Sequence, residues 1–158
     1  MEHKIVEKDE FLVIGMPVKV SLKDPGYQKK IMDLWKGFIP RAGEIKNRKG
    51  ECFYGLCNIS EGIPGDECSF ETIAGVEVES GEDVPEGMKF QKVPAAKYFV
   101  VTHKGRVEKL GETYCAIEKE LKKLGLEEDR SKIFFEFYDE RFKEDSDDSE
   151  FDLYSALK

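Results

Sequence analysis

The chain has 158 residues, of which 40% are apolar and eleven are phenylalanine, and its formal net charge is -8. This length and apolar content suffice for one domain with a substantial core, or for two small modules that share one. The acidic balance, together with the lack of a clearly basic cluster, disfavours direct binding of nucleic acid, because proteins that bind the phosphate backbone present a basic face.

Targeting and metal-binding signals are weak in this sequence. No apolar run approaches the length of a transmembrane helix, and Met1–Ile5 lacks the apolar core of a signal peptide. We therefore expect a cytoplasmic protein with no membrane partner. The four cysteines contain no C-x-x-C pair, so their spacing predicts neither a metal site nor redox chemistry, and no cofactor is expected.

The first half of the chain predicts a strand, a helix and two further strands. In the first strand, Gly15 and Pro17 favour a bulge or a kink. Asp24 and Pro25 are a typical helix start, and the apolar residues of Ile31–Ile39 then recur at helical spacing, with the single Trp35 on the apolar stripe. The predicted strands of this half are Ile5–Val20, Glu51–Asn58 and Cys68–Glu79.

The same order of elements follows after a linker at Gly81–Gly87. A second amphipathic helix runs from Val107 to Leu124, and Gly125 is the residue that ends it. Tyr114 lies on the apolar stripe of this helix, which predicts a core residue. Lys143–Glu150 is a charged, acidic loop. The predicted strands of this half are Met88–His103, Ile133–Arg141 and Phe151–Leu157.

The order β-α-β-β therefore occurs twice, at about residues 5–80 and about residues 88–158. Neither module is large enough to bury both faces of its own sheet. We predict a single α+β domain spanning residues 1–158, in which the two pseudo-symmetric modules form one antiparallel-rich sheet with both helices on one face. We expect the other face to hold Glu136, Tyr138, Tyr54 and Tyr98 as an open, aromatic ligand cleft.

Glu136 is the strongest candidate for a functional residue. The strand Phe134–Tyr138 is aromatic at every position except Glu136, and alternation places Glu136 and Tyr138 on one face. A carboxylate between rings on a half-buried surface is costly unless it is compensated. Glu136 is therefore either a structural carboxylate satisfied by a cation or backbone donors, or the fixed charge of a ligand pocket.

Motifs spread over almost the whole chain resemble the GyrI-like small-molecule-binding domain, the effector-binding domain of multidrug-responsive transcription regulators. Each motif alone is weak, but their order and spacing together are specific. The resemblance implies a pseudo-twofold pair of β-α-β-β modules with the ligand between them. The matching segments are Leu34–Phe38, Tyr54–Cys57, Phe70–Val78, Pro85–Met88, Val93–Tyr98, His103–Gly105 and Phe135–Tyr138.

The resemblance also implies a binding site. In the drug-binding members of the family, a carboxylate on the matching strand lies among aromatic rings and pairs with lipophilic cations, and this role carries over to Glu136. Ring faces attract cations, and a desolvated carboxylate selects for charge. The further candidate ligand-binding residues are Trp35, Tyr54, Tyr98, Tyr138, Phe70 and, as a second pocket charge, Glu77.

Three functions follow as hypotheses. Because the regulators carry an N-terminal helix-turn-helix and this domain begins almost at residue 1, we expect a stand-alone protein, monomeric or homodimeric, that does not bind an operator by that route. The first hypothesis is sensing or sequestration of amphipathic, cationic aromatic small molecules, without catalysis. The second is a hydrolase of electrophilic natural-product-like compounds, with Glu136 as general base and Tyr54 or Tyr138 as acid. The third is a protein-interaction module similar to a topoisomerase inhibitor.

Overall fold

Eight strands form one antiparallel sheet on which two α-helices pack, in a computed structural model that describes residues 1–158. No helix has the length and apolar character needed to cross a membrane. The strands are β1 (Lys4–Lys8), β2 (Phe11–Ser21), β3 (Phe53–Asn58), β4 (Ser69–Val78), β5 (Lys89–Val93), β6 (Ala96–Lys104), β7 (Phe134–Tyr138) and β8 (Glu150–Ala156), and the helices are α1 (Tyr27–Phe38) and α2 (Leu110–Leu124).

The two halves of the sheet are related by a pseudo-twofold axis. The strand order is β1-β6-β8-β7-β3-β4-β2-β5. Exchanging β1 with β5, β2 with β6, β3 with β7 and β4 with β8 gives the same order read backwards. The predicted α+β class, with an antiparallel sheet built from two similar halves and two helices on it, is confirmed.

Each half contains one strand more than the sequence predicted. Ile5–Val20 is divided at Asp9–Glu10 into β1 and β2, and Met88–His103 is divided at Pro94–Ala95 into β5 and β6. The first strand of each half pairs with the other half, since β1 pairs with β6 and β5 pairs with β2. The two halves are therefore joined at their edges as well as at the central β3–β7 pair.

Both helices pack on the same face of the sheet. In α1, Leu34 and Phe38 lie one helical turn apart and are buried against an apolar cluster from β2 and β4. In α2, Ile117 and Leu121 repeat this spacing and are buried against β6 and β8. Gly125 adopts the left-handed conformation (φ 73°) and ends α2, as the sequence predicted.

The opposite face is closed by curvature of the sheet itself. In a flat sheet β5 and β6 would lie six strand spacings, about 29 Å, apart. Pro94–Ala95 alone connects these strands and spans about 11 Å at most. The link Asp9–Glu10 imposes the same limit on β1 and β2. The sheet therefore curls, and the rings of Phe11 in β2 and Phe135 in β7 approach to 5.3 Å between centroids.

The curled face forms a core, which corrects the expected position of two tyrosines. We expected Tyr54 and Tyr98 on an open face, but they are 5% and 1% exposed and belong to an apolar cluster that also contains Phe11 and Phe135. Alternation along one strand predicts which side chains share a face, but it carries no information on how strongly the sheet bends. The curvature that the short links enforce buries these rings.

A pair of glycines allows β2 and β4 to approach closely. Gly15 lies opposite Gly75, and a Cβ on Gly15 would lie 2.2 Å from the carbonyl oxygen of Ala74. The register between the two strands is continuous, so the bulge expected at Gly15 or Pro17 is not observed. Gly15 is needed for the close approach of the two backbones and not for an irregular strand.

We expect Gly15→Ala to lower the free energy of unfolding by about 1–3 kcal/mol, the usual cost of overpacking. The new methyl group would meet backbone atoms, which cannot rotate away. Gly111→Ala in α2 is the matched control, because a Cβ there meets nothing within 4 Å and alanine favours helix. Urea denaturation of the three proteins measures the difference, and an unchanged Gly15→Ala midpoint would contradict the clash.

Candidate functional site

Glu136 lies on the helix-bearing face at the centre of the molecule. In the β3–β7 register it faces Gly55. When the links Asp9–Glu10 and Pro94–Ala95 are matched, the cross-strand row Met16–Ala74–Gly55 corresponds to the row Val101–Leu153–Glu136, so the pseudo-twofold axis passes through the Gly55–Glu136 pair. Glu136 and Tyr138 share a face, as alternation predicted. That face carries α1 and α2, whereas we expected both residues on the face opposite the helices. The register places Tyr54 opposite Phe137 and therefore on the other face.

Two tyrosine hydroxyls donate to the carboxylate of Glu136. Tyr138 donates to Oε1 (2.5 Å), and Tyr114 of α2 donates to Oε2 (3.2 Å). Tyr114 is the site residue that the sequence reasoning missed, because its position on the apolar stripe of α2 predicted a core residue. Its hydroxyl was the available signal, since a buried tyrosine requires a partner for its O–H group.

Trp35 of α1 and Gly55 of β3 complete the surroundings of the carboxylate. The Trp35 ring packs edge-to-face on Tyr138, with centroids 5.4 Å apart. A Cβ on Gly55 would lie 3.4 Å from Cζ2 of Trp35 and 3.5 Å from Oε1 of Glu136. A Cβ at this position would make ordinary van der Waals contacts, so the missing side chain leaves room for about one methyl group beside the charge. We call the group Trp35, Gly55, Tyr114, Glu136 and Tyr138 the Glu136 cleft.

Glu136 has no cationic partner in the protein. None of the ion pairs of the chain includes it. Burial raises the pKa of Glu136 above its ordinary value, and the hydrogen bonds from Tyr138 and Tyr114 oppose that shift. Burial, followed by the Glu136 charge, raises the pKa of both hydroxyls well above the usual value, so they remain protonated donors.

The cleft is enclosed by protein but remains accessible to solvent. Trp35, Tyr114, Glu136 and Tyr138 are each partly exposed. Cys57, the next residue of β3 on the same face, is buried, and burial raises the pKa of its thiol. The cleft therefore contains one carboxylate and three aromatic rings, each partly exposed, and no reactive thiolate.

The remaining predicted site residues lie away from the Glu136 cleft. Tyr98 donates to the carbonyl oxygen of Ile133 (3.2 Å), and burial raises its pKa to about 12. Tyr54 donates to Oε1 of Glu77 (3.1 Å) on the face opposite Glu136, and burial together with the Glu77 charge raises the pKa of Tyr54.

Glu77 and Phe70, both on β4, also differ from the expected pocket. Glu77 has a cation nearby, since Nζ of Lys49 lies 3.8 Å from Oε2. Phe70 pairs with Val20 in the sheet register and makes no ring contact with Trp35, Tyr114 or Tyr138. No group of three or more His, Cys, Asp or Glu side chains is placed to hold a metal ion.

Comparison with known proteins identifies the family. Residues 4–157 match the family described as Cass2, integron-associated effector binding protein. The chain belongs to this family. The resemblance to effector-binding domains that the sequence motifs indicated is confirmed, and binding of a small-molecule effector is the function shared at this level.

Individual similar proteins support the family assignment. Transcriptional regulator BrlR of Pseudomonas aeruginosa is 41% identical over 160 residues, which cover 99% of this chain and 56% of the regulator. The chain thus spans little more than half the length of that relative. SAV2435, in a structure bound to tetraphenylphosphonium, has a TM-score of 0.76 at 17% identity and covers 100% of this chain and 94% of its own.

A solved structure from the mobile metagenome of Vibrio cholerae, that of the integron cassette protein VCH_CASS2, has a TM-score of 0.70 at 19% identity, with 99% of this chain and 95% of that chain covered. At these identities, the likeness of VCH_CASS2 and SAV2435 to this chain demonstrates a shared fold. The curled sheet with two helices on one face is therefore the common framework on which the Glu136 cleft is built.

We expect Glu136→Gln to stabilise the protein at neutral pH but not in acid. A carboxyl group whose pKa is raised on folding binds its proton more tightly in the folded state. The free energy of unfolding therefore falls as the pH rises from the ordinary glutamate pKa of about 4.3 through the raised pKa of the folded protein. Because glutamine does not ionise, Glu136→Gln does not show this fall in stability. Urea denaturation between pH 4 and pH 8 measures the difference between the two proteins.

The control for this experiment is Glu82→Gln, which changes an exposed glutamate in a loop. It measures the effect of exchanging a glutamate for a glutamine outside the Glu136 cleft. Two results would contradict the claim that the buried carboxylate destabilises the folded protein. One is a stability difference between wild type and Glu136→Gln that does not depend on pH, and the other is a difference that favours wild type increasingly as the pH rises.

Proposed function

We propose that the protein binds lipophilic aromatic cations in the Glu136 cleft, in order to sense or sequester them. The observation that carries the proposal is a partly buried carboxylate that has two hydrogen-bond donors and no cation. An enclosed charge without a counter-charge is unfavourable. A cationic ligand supplies the missing partner, and the protein then recovers part of the free energy lost in burying the carboxylate.

The aromatic surroundings favour a particular kind of cation. Trp35, Tyr114 and Tyr138 surround the carboxylate, and a ring face attracts a cation by about 0.5–2 kcal/mol. Small, strongly hydrated ions lose more hydration energy on entering such a cleft than bulky ions whose charge is shielded by aryl groups. The cleft therefore favours large, weakly hydrated cations whose apolar groups pack on the rings.

The comparisons supply both support and a probe. The family is defined by effector binding, and SAV2435, which shares the fold, was solved with tetraphenylphosphonium. A sensing role is in line with the identity to part of a transcriptional regulator. Tetraphenylphosphonium carries one positive charge and four aryl groups, which makes it a suitable first ligand for this chain.

We expect tetraphenylphosphonium to bind wild type and to lose about tenfold or more in affinity, about 1.4 kcal/mol, in Glu136→Gln. The reason is the loss of the only negative charge in the cleft. Because a protonated Glu136 is neutral, the wild-type affinity should also fall as pH decreases through the raised pKa of this carboxyl. Isothermal titration calorimetry at several pH values measures both effects.

Two controls test the charge and the location. Triphenylphosphine oxide is a neutral aryl compound whose weaker binding should be equal in wild type and Glu136→Gln. Gly55→Leu would place a side chain against Trp35 and the carboxylate, so it should exclude both compounds. Equal affinity of tetraphenylphosphonium for wild type, Glu136→Gln and Gly55→Leu would overturn the proposed site.

A second candidate, hydrolysis of electrophilic compounds, is favoured by one contact in the same cleft. Tyr138 donates to Glu136, so a carboxylate of raised pKa, suited to act as a general base, lies beside a phenol that can act as an acid. With an epoxide, water activated by Glu136 would form the new C–O bond, and Tyr138 would protonate the oxygen of the ring bond that breaks. Tyr54, the other acid considered, is bonded to Glu77 on the opposite face.

If this hydrolysis occurs, Glu136→Gln should reduce kcat for a model aryl epoxide by about a hundredfold or more, the usual loss on removing a general base. Tyr138→Phe should reduce it less, because a phenylalanine leaves the base in place. Binding of the neutral diol product should be unchanged in both variants. Formation of diol by wild type at the rate of the buffer alone would exclude the hydrolase.

A further inference from the structure

His103 lies near the end of β6 and is almost completely buried, with 1% of its surface exposed. Both of its ring nitrogens make hydrogen bonds to residues that follow it in the chain. Nδ1 lies 2.7 Å from the hydroxyl of Thr113 in α2, and Nε2 lies 2.9 Å from the carbonyl oxygen of Arg106. A carbonyl oxygen can only accept, so Nε2 carries a proton, and in this tautomer Nδ1 accepts from the Thr113 hydroxyl. The imidazole therefore joins β6, the connection after it and α2.

This link bears on the Glu136 cleft because Thr113 directly precedes Tyr114 in the chain. The Tyr114 hydroxyl donates to Oε2 of Glu136 over 3.2 Å, which is longer than the usual O–H···O distance of about 2.7–2.8 Å. Tyr138 lies on the same strand as Glu136, so its hydrogen bond does not depend on where a helix is placed. A small displacement of α2 from the sheet therefore breaks the Tyr114 bond and leaves the Tyr138 bond intact.

The part of α2 that carries Tyr114 has few other attachments to the sheet. Residues 110–116, about two turns, contain no fully buried side chain, whereas Ile117 and Leu121 further along the helix are buried. No side chain caps the N-terminus of α2. Of the apolar side chains in these turns, Leu110 only packs against the edge of the core and remains partly exposed. The bond between Thr113 and His103 is therefore a main attachment of these turns.

The other half of the molecule has no counterpart of this link. Val18 and Ile31 have no polar side-chain atoms, and Lys30 bonds to Asp24 (2.6 Å) in the turn before α1. The framework therefore does not require a buried histidine at this place, and the link occurs only in the half that carries Glu136. Matching the connections between strands and the buried pairs of the two helices relates Val18 to His103, Lys30 to Thr113 and Ile31 to Tyr114.

No charged side chain is hydrogen-bonded to the imidazole. Its ring lies against Phe151 of β8, with centroids 5.0 Å apart, and the guanidinium of Arg106 pairs with Asp147 (3.4 Å). The carboxylate of Glu136 likewise meets no charged group. The side chains that face it are Tyr138 from β7, Tyr114 from α2, Cys57 from β3 and, without a titratable group, Trp35 from α1.

We propose that His103 is a positioning residue of the Glu136 cleft, which acts through Thr113 to hold the Tyr114 hydroxyl within hydrogen-bonding distance of Glu136. Without the link, the first turns of α2 move from the sheet and the carboxylate keeps only the bond from Tyr138. Because the Tyr114 bond lowers the pKa of Glu136, its loss raises that pKa. The role of the link in ligand binding rests on the function proposed for the cleft, whereas the link itself does not.

The titration of Glu136 in the ligand-free protein, followed by the ¹³C shift of its carboxyl group, tests the link. Thr113→Val keeps the shape of the side chain and removes the hydroxyl, so the pKa of Glu136 should rise, and by no more than in Tyr114→Phe. Thr113→Ser keeps the hydroxyl and should titrate as wild type does. His103→Leu should also raise the pKa, and adding Thr113→Val to it should have little further effect, because both changes remove the same bond.

Thr102→Val is the matched control. Thr102 precedes His103 in β6, and its hydroxyl donates to Asp152 of β8 (2.6 Å). This variant therefore also loses a hydrogen bond of β6, but not one that reaches α2. It should lower the melting temperature and leave the Glu136 titration unchanged.

Two results would overturn the proposed role of His103. The first is the same Glu136 titration in wild type, Thr113→Val and His103→Leu, with thermal melts showing that both variants are folded. The second is an equal rise of the Glu136 pKa in Thr113→Val and in either Thr113→Ser or Thr102→Val, which would indicate a general loosening of the structure.

Binding of tetraphenylphosphonium provides the separate test of the function. On acidification, its affinity for Thr113→Val should begin to fall at a higher pH than its affinity for wild type, whereas Thr113→Ser should follow wild type. Absence of binding to wild type would overturn the function proposed for the cleft, while the titration of the ligand-free protein still decides the role of His103.

Discussion

The cross-strand pair of Gly55 and Glu136 is the constraint on which the site depends. It lies on the pseudo-twofold axis, so the two positions are equivalent by symmetry and directly opposed in the register. Two carboxylates at this point would repel each other at short range. One glutamate facing a glycine avoids that repulsion and leaves space beside the charge. The central cleft is therefore asymmetric in a molecule whose framework is symmetric.

The short connections determine how the two faces of the sheet are used. Because Asp9–Glu10 and Pro94–Ala95 must each join strands from distant positions in the sheet, the sheet curls and fills one face with its own side chains. The helices cover the two halves of the other face and leave the central strands between them less covered. The curvature thus supplies a rigid core behind β7, against which Glu136 can be held in an unfavourable environment.

The predicted positions of side chains agree with the structure where a single strand or helix determines the answer. Alternation in β7 placed Glu136 and Tyr138 together, and the stripe of α1 placed Trp35 on the side facing the sheet. The sequence-based predictions failed where the answer depends on how two strands or helices are placed relative to each other. Tyr54 was placed on the wrong face because a one-residue difference in register reverses it, and Tyr114 was assigned to the core because helical periodicity does not reveal which group its hydroxyl meets.

By itself, the sequence determined the α+β class, the two similar halves, the positions of both helices and the residue that carries the charge of the cleft. These properties follow from local spacing and composition, which act over a few residues. Only the tertiary structure decided that the helices cover the face of Glu136 and that the opposite face closes into a core. Strand register and sheet curvature set these features, and both arise from contacts between residues far apart in the chain.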